Sequence, residues 1–466
     1  MDNTEKHYKY MTETPVVKLI VKLGIPTTVA MLITSIYNLA DTYFVGTLGE
    51  SAQGAIGVLF TLQSIIQAVA YMLGHGSGTY VAKELADKNR EKASRYVSTA
   101  FFAGGLAGVL FAIFGLIFLQ PVLRLLGSTD TILPYAKIYG ACVLAACPFL
   151  ICSLVLNNNL RYEGKAFFAM IGIGTGGLLN IFGDWLLVKK LSLGVLGAGV
   201  STAVSQTVSF VILLVLYFKT AQSKIALKYV SRDAKLYLGI FKNGLPSLIR
   251  QTLNSVSGGV LNNLAKYYGA LAGNADATIA AMSIVNRVSN FVMCVGMGIS
   301  QGLQPVASFN YQAKEYVRVK KALKMTLLIC FACVSVLAIP CMIFSEKIAT
   351  FFQSDLSVVE IATPALRYAM VGLMFMPLFI PLNMLFQSIR KPAIASFLAL
   401  LRSGLVFIPL IFLLTWKLQI TGLQLAQPIA DVITAIVNLP FFFVFLKNTP
   451  NTSARENDLD GETVER

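Results

Sequence analysis

Residues 16–45 of this 466-residue chain, VVKLIVKLGIPTTVAMLITSIYNLADTYFV, indicate its fold class. The only charged side chains in this segment are Lys18, Lys22 and Asp41. The segment is longer than the roughly 20 predominantly apolar residues that a helix needs to cross the bilayer core. In the whole chain 56% of residues are hydrophobic and 13% are charged, whereas a soluble domain carries roughly 25% charged residues. The sequence therefore predicts an all-α membrane protein and excludes an ordinary soluble enzyme or a disordered chain.

Eleven further apolar runs are long enough to cross the membrane, which gives twelve predicted transmembrane helices. The first six are predicted at 16–45, 52–80, 96–120, 132–157, 166–188 and 195–218. The second six are predicted at 236–263, 276–304, 322–344, 361–388, 393–416 and 421–446. We expect an N-terminal lobe at 16–218 and a C-terminal lobe at 236–447. A polar segment at 1–15, a basic linker at 219–235 and a tail at 448–466 complete the chain.

The distribution of basic residues predicts the orientation of these helices. An even number of spans places both termini on one side of the membrane. The segments on that side hold 27 Lys and Arg, and those on the opposite side hold 7. By the positive-inside rule both termini are cytoplasmic, in a multi-pass protein of the plasma membrane. The net charge of +15 is then a topology signal, and we expect no nucleic-acid partner.

The second half of the chain repeats the first. The sequence K-L-G-I-P at Lys22–Pro26 recurs as K-N-G-L-P at Lys242–Pro246, an offset of 220 residues. Six spans fill each half, so the repeats run in the same direction as two pseudo-symmetric six-helix bundles. Such pairs are typical of secondary transporters that work by alternating access. The glycine-rich stretches 74–78 and 174–177 lie inside spans, where they indicate close helix packing rather than phosphate binding.

Signatures of enzymes and cofactor sites are missing from the sequence. It contains no G-x-x-x-x-G-K-[ST], H-E-x-x-H or G-x-S-x-G motif, so ATP hydrolysis and the common hydrolytic mechanisms are not expected. The two histidines, His7 and His75, cannot form a metal centre alone. We expect no catalytic residues, no cofactor and no resident metal.

Three acidic residues, Asp41, Asp184 and Asp431, fall inside predicted spans, among 23 in the chain. A charged group in the membrane costs at least ~2.5 kcal/mol, so such residues usually face a bundle interior and have a function. Asp41 and Asp184 lie four residues before the outer ends of spans one and five, about 6 Å deep. Asp431 is either the partner of an intramembrane arginine, Arg402 or Arg250, or a transport residue.

Polar side chains on neighbouring spans are predicted to join the two aspartates. Asn180 lies one helical turn from Asp184, and Tyr37 lies one turn from Asp41. Thr202 and Tyr139 lie seven residues into spans six and four, at a similar depth. Oxygen atoms from four helices would thus share the outer half of the first bundle. The structural alternatives are a helix-end role for Asp41 and a simple hydrogen-bonded pair of Asn180 with Asp184.

This cluster predicts a coupling site. One carboxylate of a poorly solvated pair can hold a proton at neutral pH, and the same oxygens suit a hard cation such as Na⁺. The predicted ion- or proton-coupling residues are Asp41, Asn180, Asp184 and Thr202, which would also be the ligands of Na⁺. The predicted substrate-lining residues are Tyr37, Tyr139 and Asn157. Pro26 inside span one predicts a kink, whose bend we expect to follow protonation of Asp41.

The chain also resembles a known family. The sequences G-I-P at 24–26, A-D-T-Y-F-V-G at 40–46, L-N-I-F-G-D at 179–184 and S-T-A-V-S-Q at 201–206 are similar to those of the multidrug and toxic compound extrusion (MATE) family. The resemblance covers about 16–447 and is closest to the bacterial and archaeal branches with acidic residues in the N-terminal lobe. It implies twelve helices in two lobes and assigns the acidic cluster to Asp41, Asn180, Asp184 and Thr202. One departure is Trp185, where the family often has proline after the aspartate.

The resemblance implies export of amphipathic, often cationic, compounds in exchange for H⁺ or Na⁺. We therefore expect a multidrug exporter without enzymatic activity, a monomer whose partners are organic cations or drugs and membrane lipids. A flippase for a lipid-linked sugar or another lipid intermediate remains an alternative, because Arg250, Arg287 and Arg402 would suit an anionic cargo. A membrane-embedded enzyme would need a nucleophile with a base, or a set of metal ligands, in the spans, and the sequence offers neither. The six-plus-six repeat and the proline-bearing spans favour alternating access over a channel.

Overall fold

The computed structural model describes residues 3–353 and 355–451 of the chain, and within them the secondary structure is helical throughout, without a strand. The first eight helices are α1 Asn3–Glu13, α2 Val16–Gly46, α3 Glu50–Ala86, α4 Arg90–Ile117, α5 Leu119–Leu125, α6 Leu133–Tyr162, α7 Ala166–Asp184 and α8 Gly194–Thr220. The others are α9 Ala234–Leu271, α10 Ala275–Gln312, α11 Tyr316–Ile343, α12 Ser345–Phe352, α13 Leu356–Leu373, α14 Ile380–Ser388, α15 Pro392–Leu400 and α16 Phe407–Asn448. Trp185–Lys190 and Leu401–Val406 are π-helical, and Leu227–Tyr229 and Met376–Leu378 are 3₁₀ turns.

The predicted spans are recovered as helices. Ten helical segments of the described chain are long and apolar enough to cross a membrane. The last of them, Pro392–Asn448, holds two predicted spans that meet at Gln419, where the backbone leaves the helix with φ 50° and ψ −121°. The remaining predicted span is α9, which is 38 residues long but more polar than the others. The prediction of an all-α membrane protein with twelve spanning helices is confirmed.

The two halves repeat each other in backbone detail as well as in sequence. Positive φ angles occur at Lys88 and Lys314, and again at Gly164 and Arg390, each pair 226 residues apart. A hydrogen bond from an asparagine side chain to a backbone carbonyl also recurs at the offset of 226 residues. Asn157 Nδ2 donates to the carbonyl oxygen of Ala169 at 2.9 Å in the first half, and Asn383 Nδ2 donates to that of Ala395 at 2.6 Å in the second. Each turn that joins α6 to α7, or α14 to α15, is therefore closed in the same way.

Packing divides the chain into two compact units whose limits differ from the predicted lobes. Unit 1 contains residues up to 13 together with 25–251, and unit 2 contains 14–24 together with residues from 252 onward. The beginning of α2 thus belongs to unit 2, and the beginning of α9 belongs to unit 1. The boundaries within these helices follow Gly24 and Gln251. Of the predicted tail 448–466, residues 452 onward lie outside the described chain.

The basic linker 219–235 is packed into unit 1 rather than extended between lobes. Ser94 and Ser98 of α4 bind the backbone of Lys224, at 2.8 Å to its nitrogen and 3.1 Å to its oxygen. The buried carboxylate of Glu163, at the end of α6, accepts hydrogen bonds from the backbone and hydroxyl of Ser223. Because its peptide groups are paired with side chains of unit 1, the linker is a fixed part of this unit.

Two glycines explain why the beginning of α9 packs into unit 1. A Cβ atom on Gly244 would lie 2.0 Å from the carbonyl oxygen of Met72, and one on Gly76 would lie 2.2 Å from that of Ile240. Helices α3 and α9 therefore touch backbone to backbone, which only glycine permits. Gly76 belongs to the glycine-rich stretch 74–78, whose predicted role in close packing is confirmed. A hydrogen bond of 2.9 Å between Ser247 Oγ and the ring of His75 joins the same two helices.

Candidate functional site

The predicted polar cluster forms in the interior of unit 1, where α2, α6, α7 and α8 meet. Tyr139 of α6 donates a hydrogen bond of 2.9 Å from its hydroxyl to Oδ2 of Asp41 on α2. The same hydroxyl lies 3.0 Å from Oγ1 of Thr202 on α8. All three side chains are at least 92% buried. The structure thus brings together residues that lie 98 and 63 positions apart in the chain.

Helix α7 completes the cluster through its contact with α8. Asn180 Nδ2 lies 3.2 Å from Thr202 Oγ1, and Ser201 Oγ donates to the backbone oxygen of Asn180 at 3.0 Å. Glycine at position 183 lets the two helices approach closely, because a Cβ atom there would lie 2.4 Å from Ser201 Oγ. Ser201 and Gly183 were not predicted as site residues. Their position in the motifs S-T-A-V-S-Q and L-N-I-F-G-D, next to Thr202 and Asp184, is the signal that could have indicated them.

Asp184 is fully buried and lies at a change in helix type. It is the last α-helical residue of α7, and the π-helical turn Trp185–Lys190 begins at the next residue. Single π-helical turns are frequent at functional sites because the widened turn re-aims side chains and frees backbone groups. The departure from the family sequence at Trp185 therefore coincides with an unusual helix end. Trp185 itself is 38% exposed and packs beside Phe182, with 5.7 Å between their ring centroids.

The cluster contains four buried oxygen atoms without a well-formed hydrogen bond among the described residues. They are Oδ1 of Asp41, Oδ1 of Asn180 and both carboxylate oxygens of Asp184. Asp184 interacts electrostatically with Asp41 and with the hydroxyl of Ser201. Buried carboxylates cost several kcal/mol unless they are paired, protonated or bound to a cation. This donor set of carboxylate and amide oxygens therefore fits a proton or a hard monovalent cation such as Na⁺.

The hydrogen bonds of the cluster have a defined direction when Asp41 is ionised. A carboxylate only accepts, so the single hydroxyl hydrogen of Tyr139 points to Asp41. Thr202 must then donate to Tyr139, and the Asn180 amide nitrogen donates to Thr202. A proton on Oδ2 of Asp41 would reverse each of these bonds in turn, because Asp41 would become a donor. This row of hydrogen bonds can therefore transmit a change of protonation at Asp41 to Asn180, which is one helical turn from Asp184.

Two predicted substrate-lining residues lie apart from these hydrogen bonds. Tyr37 is half-buried on α2, close enough to interact electrostatically with Asp41, and it packs near Gly177 of α7. Asn157 lies eighteen residues after Tyr139 on α6, about 27 Å along the helix axis. Its side-chain nitrogen donates to the carbonyl of Ala169. Asn157 therefore lies far from the cluster, and its predicted place along the substrate path stays a prediction.

The third intramembrane acid, Asp431, belongs to unit 2. Arg402 donates from Nε to Oδ1 of Asp431 at 2.8 Å, and Gln427 donates to the same oxygen at 2.8 Å. The guanidinium group also lies 5.4 Å from the ring centroid of Phe379. Of the two predicted partners, Arg402 forms the ion pair. A buried carboxylate with this many donors is neutralised by its neighbours.

Comparison with known proteins identifies similar sequences and folds. The sequence model of the MatE family matches residues 26–186 and 246–413. The chain is 26% identical over 432 residues to the multidrug export protein MepA of Staphylococcus saprophyticus, covering 92% of this chain and 93% of that protein. A crystal structure of a MATE in complex with MaL6 has a TM-score of 0.90 and 23% identity, and it covers 96% of this chain and 100% of its own. An outward-facing multidrug resistance MATE transporter has a TM-score of 0.89 and 23% identity, with 95% and 98% covered.

Proposed function

The chain belongs to the MatE family, and we propose that it exports amphipathic organic cations, including drugs, across the plasma membrane in exchange for H⁺ or Na⁺. The name of the staphylococcal relative, a multidrug export protein aligned over 92% of this chain, supports the export of drugs. The single observation that carries the coupling is the buried pair of Asp41 and Asp184. Their oxygens are only partly engaged by neighbouring donors.

The coupling ion binds at Asp41, Asn180, Asp184 and Thr202 in this proposal. Without a bound cation, Asp41 accepts a hydrogen bond from Tyr139, Tyr139 accepts one from Thr202, and Thr202 accepts one from Asn180. When a proton binds to Asp41, the direction of each hydrogen bond reverses, and the amide of Asn180 turns its oxygen towards Thr202. Sodium would instead be held by the carboxylate and amide oxygens together. In both cases one positive charge enters the cluster, which weakens the negative field that attracts a cationic cargo.

Pro26 connects this site to a change in shape. Proline removes one backbone hydrogen bond from α2 and leaves a flexible joint in the helix. Asp41 lies fifteen residues further along the same helix, about 22 Å along its axis. The packing boundary between Gly24 and Ile25 supports a joint at this point. Charge neutralisation at Asp41 thus alters the bend of α2 and alternates access to the site, with both termini in the cytoplasm.

The aspartates can be tested by efflux of a fluorescent cation from cells. Asp41→Asn and Asp184→Asn should leave the protein folded in the membrane and abolish efflux, because neither amide can ionise. Asp130→Asn is the matched control, since it removes one exposed carboxylate outside the spans and should keep wild-type efflux. Wild-type efflux from either site variant would remove the assignment. For Pro26, spin-label distances across α2 should respond to pH in the wild type and not in Pro26→Ala.

The flippase alternative receives less support from the structure. It depended on unpaired basic groups that would bind an anionic lipid intermediate. Arg402 is paired with Asp431, so one of these groups carries no free positive charge. The cation exporter is therefore the function that the arrangement of acidic groups favours.

A further inference from the structure

The N-terminal helix α1 is docked on unit 1 by buried side chains. Met11 is fully buried and His7 is 92% buried. Met11 packs against the turn between α6 and α7, where Gly164 has a φ of +74° and a Cβ atom would lie 3.2 Å from the Met11 sulfur. An ion pair of 3.0 Å between Glu5 and Lys88 joins the helix to the end of α3. The contact of α1 with unit 1 therefore combines buried side-chain packing with an ion pair.

The chain is anchored in unit 2 immediately after α1. The carbonyl oxygen of Thr14 accepts a hydrogen bond of 2.6 Å from the guanidinium group of Arg318. Arg318 is fixed in turn by a hydrogen bond of 3.1 Å from Nε to Asn310 at the end of α10. Residue 14 belongs to unit 2, whereas residue 13 belongs to unit 1. The covalent connection between the two anchoring points is thus very short.

The length of this connection sets a limit on movement. Thr14 lies three positions after Met11, and three residues of fully extended chain span at most about 11 Å. The Met11 site on unit 1 and the Arg318 site on unit 2 therefore cannot separate further than this while both contacts persist. Any larger separation requires either the release of α1 from unit 1 or the loss of the hydrogen bond to Thr14. The buried Met11 and His7 must be exposed in the first case. The second case adds only two residues of reach, because Val16, two residues after Thr14 in unit 2, is itself buried.

We propose that α1 is a strap that limits the separation of the two units at the side of the N-terminus, and that its release from unit 1 is a required step when that side opens. This inference rests on the alternating movement in the proposed function. It adds a structural element outside the membrane helices that controls how often and how far this side opens. Residues Glu5, His7 and Met11 hold the strap closed, and Arg318 holds its other end.

The strap can be tested with pairs of spin labels in a background without the seven native cysteines. Labels at the exposed positions Lys6 and Lys92 report the docking of α1 on unit 1. Labels at Lys92 and Lys321 report the separation of the two units and do not depend on the strap. Purified protein in lipid nanodiscs is measured over a range of pH and Na⁺ concentrations. Two variants accompany the wild type: Met11→Ala, and an insertion of six Gly and Ser residues between Glu13 and Thr14.

The proposal makes a distinct prediction for each protein. In the wild type, conditions that lengthen the Lys92–Lys321 distance also produce a second, longer Lys6–Lys92 distance. Met11→Ala should increase this released population about 30-fold, since truncation of a buried methionine costs at least about 2 kcal/mol. The insertion adds about 20 Å of reach, so α1 should stay docked while the units still separate.

Two results would overturn the proposal, and they can be told apart. If Lys92–Lys321 lengthens by more than about 11 Å in the wild type while Lys6–Lys92 stays unchanged, α1 does not limit the movement. If Lys92–Lys321 is constant under every condition, the alternating movement itself is absent, and the proposed function fails together with the strap. Equal released populations in the wild type and in the insertion variant would also contradict the strap, because the added length would have no effect.

Discussion

The docking of α1 should depend on pH through His7. Burial and the nearby charges of Lys165 and Arg90 lower the pKa of His7 to about 4, from about 6.5 for an exposed histidine. The released helix therefore binds more protons than the docked helix. Docking is strongest above pH 6.5, weakens as the pH falls towards 4, and changes no further below that value. Between pH 7.5 and 5.5 the ratio of released to docked helix should rise about tenfold, which corresponds to about 1.3 kcal/mol.

This prediction can be measured with the spin-label pair at Lys6 and Lys92, in samples frozen at the two pH values. His7→Gln is the test variant, because glutamine keeps a polar side chain but does not titrate in this range. The insertion variant supplies a background in which unit movement does not pull on α1. In that background the wild-type helix should show the tenfold rise, and His7→Gln should show none. An equal pH response in both proteins would refute the assignment to His7.

Two further predictions concern the stability of the protein in detergent, measured by thermal denaturation. Arg402→Leu should destabilise the protein by about 3–5 kcal/mol, because it leaves the buried carboxylate of Asp431 without its cation; adding Asp431→Leu should recover most of the loss, and no recovery would contradict the ion-pair account. Gly244→Ala should cost about 1–3 kcal/mol because its methyl group would overlap the carbonyl of α3. Gly258→Ala on the same helix is the control: a Cβ atom there would have no neighbour within 4 Å in the described part of the chain, so the change should be neutral or stabilising. Equal melting temperatures for the two glycine variants would refute the close approach.

Hydropathy was sufficient to predict the membrane helices, since each span is decided by its own local composition. Helical rise predicted a similar depth for Asp41 and Asp184, and the i, i+4 spacing predicted that Asn180 lies on the same helix face as Asp184. What the sequence could not supply was the pairing across helices. The contact of Tyr139 with Asp41 joins residues 98 positions apart, and it depends on how α6 packs against α2. Sequence spacing predicted only that both would lie at a similar depth.

Two other features required the three-dimensional structure. The boundaries of the units lie inside α2 and α9 rather than in the basic linker, because the contact at Gly76 and Gly244 carries the beginning of α9 into unit 1. The repeated K-x-G-x-P motif marked both helices but not the unit in which each beginning would pack. Asn157 was predicted to line the substrate path; the structure shows that its side-chain nitrogen donates a hydrogen bond in a turn, which Asn383 repeats in the second half.

Coupling at Asp41 and Asp184 can be tested with purified protein in liposomes loaded with a fluorescent organic cation. A pH gradient and a Na⁺ gradient are imposed one at a time on the wild type and on Asp184→Asn. At least one gradient should drive the cation against its own concentration gradient in the wild type, and neither should do so in the variant. Movement of the cation that ignores both gradients, or that is unchanged in Asp184→Asn, would contradict coupling at this pair of carboxylates.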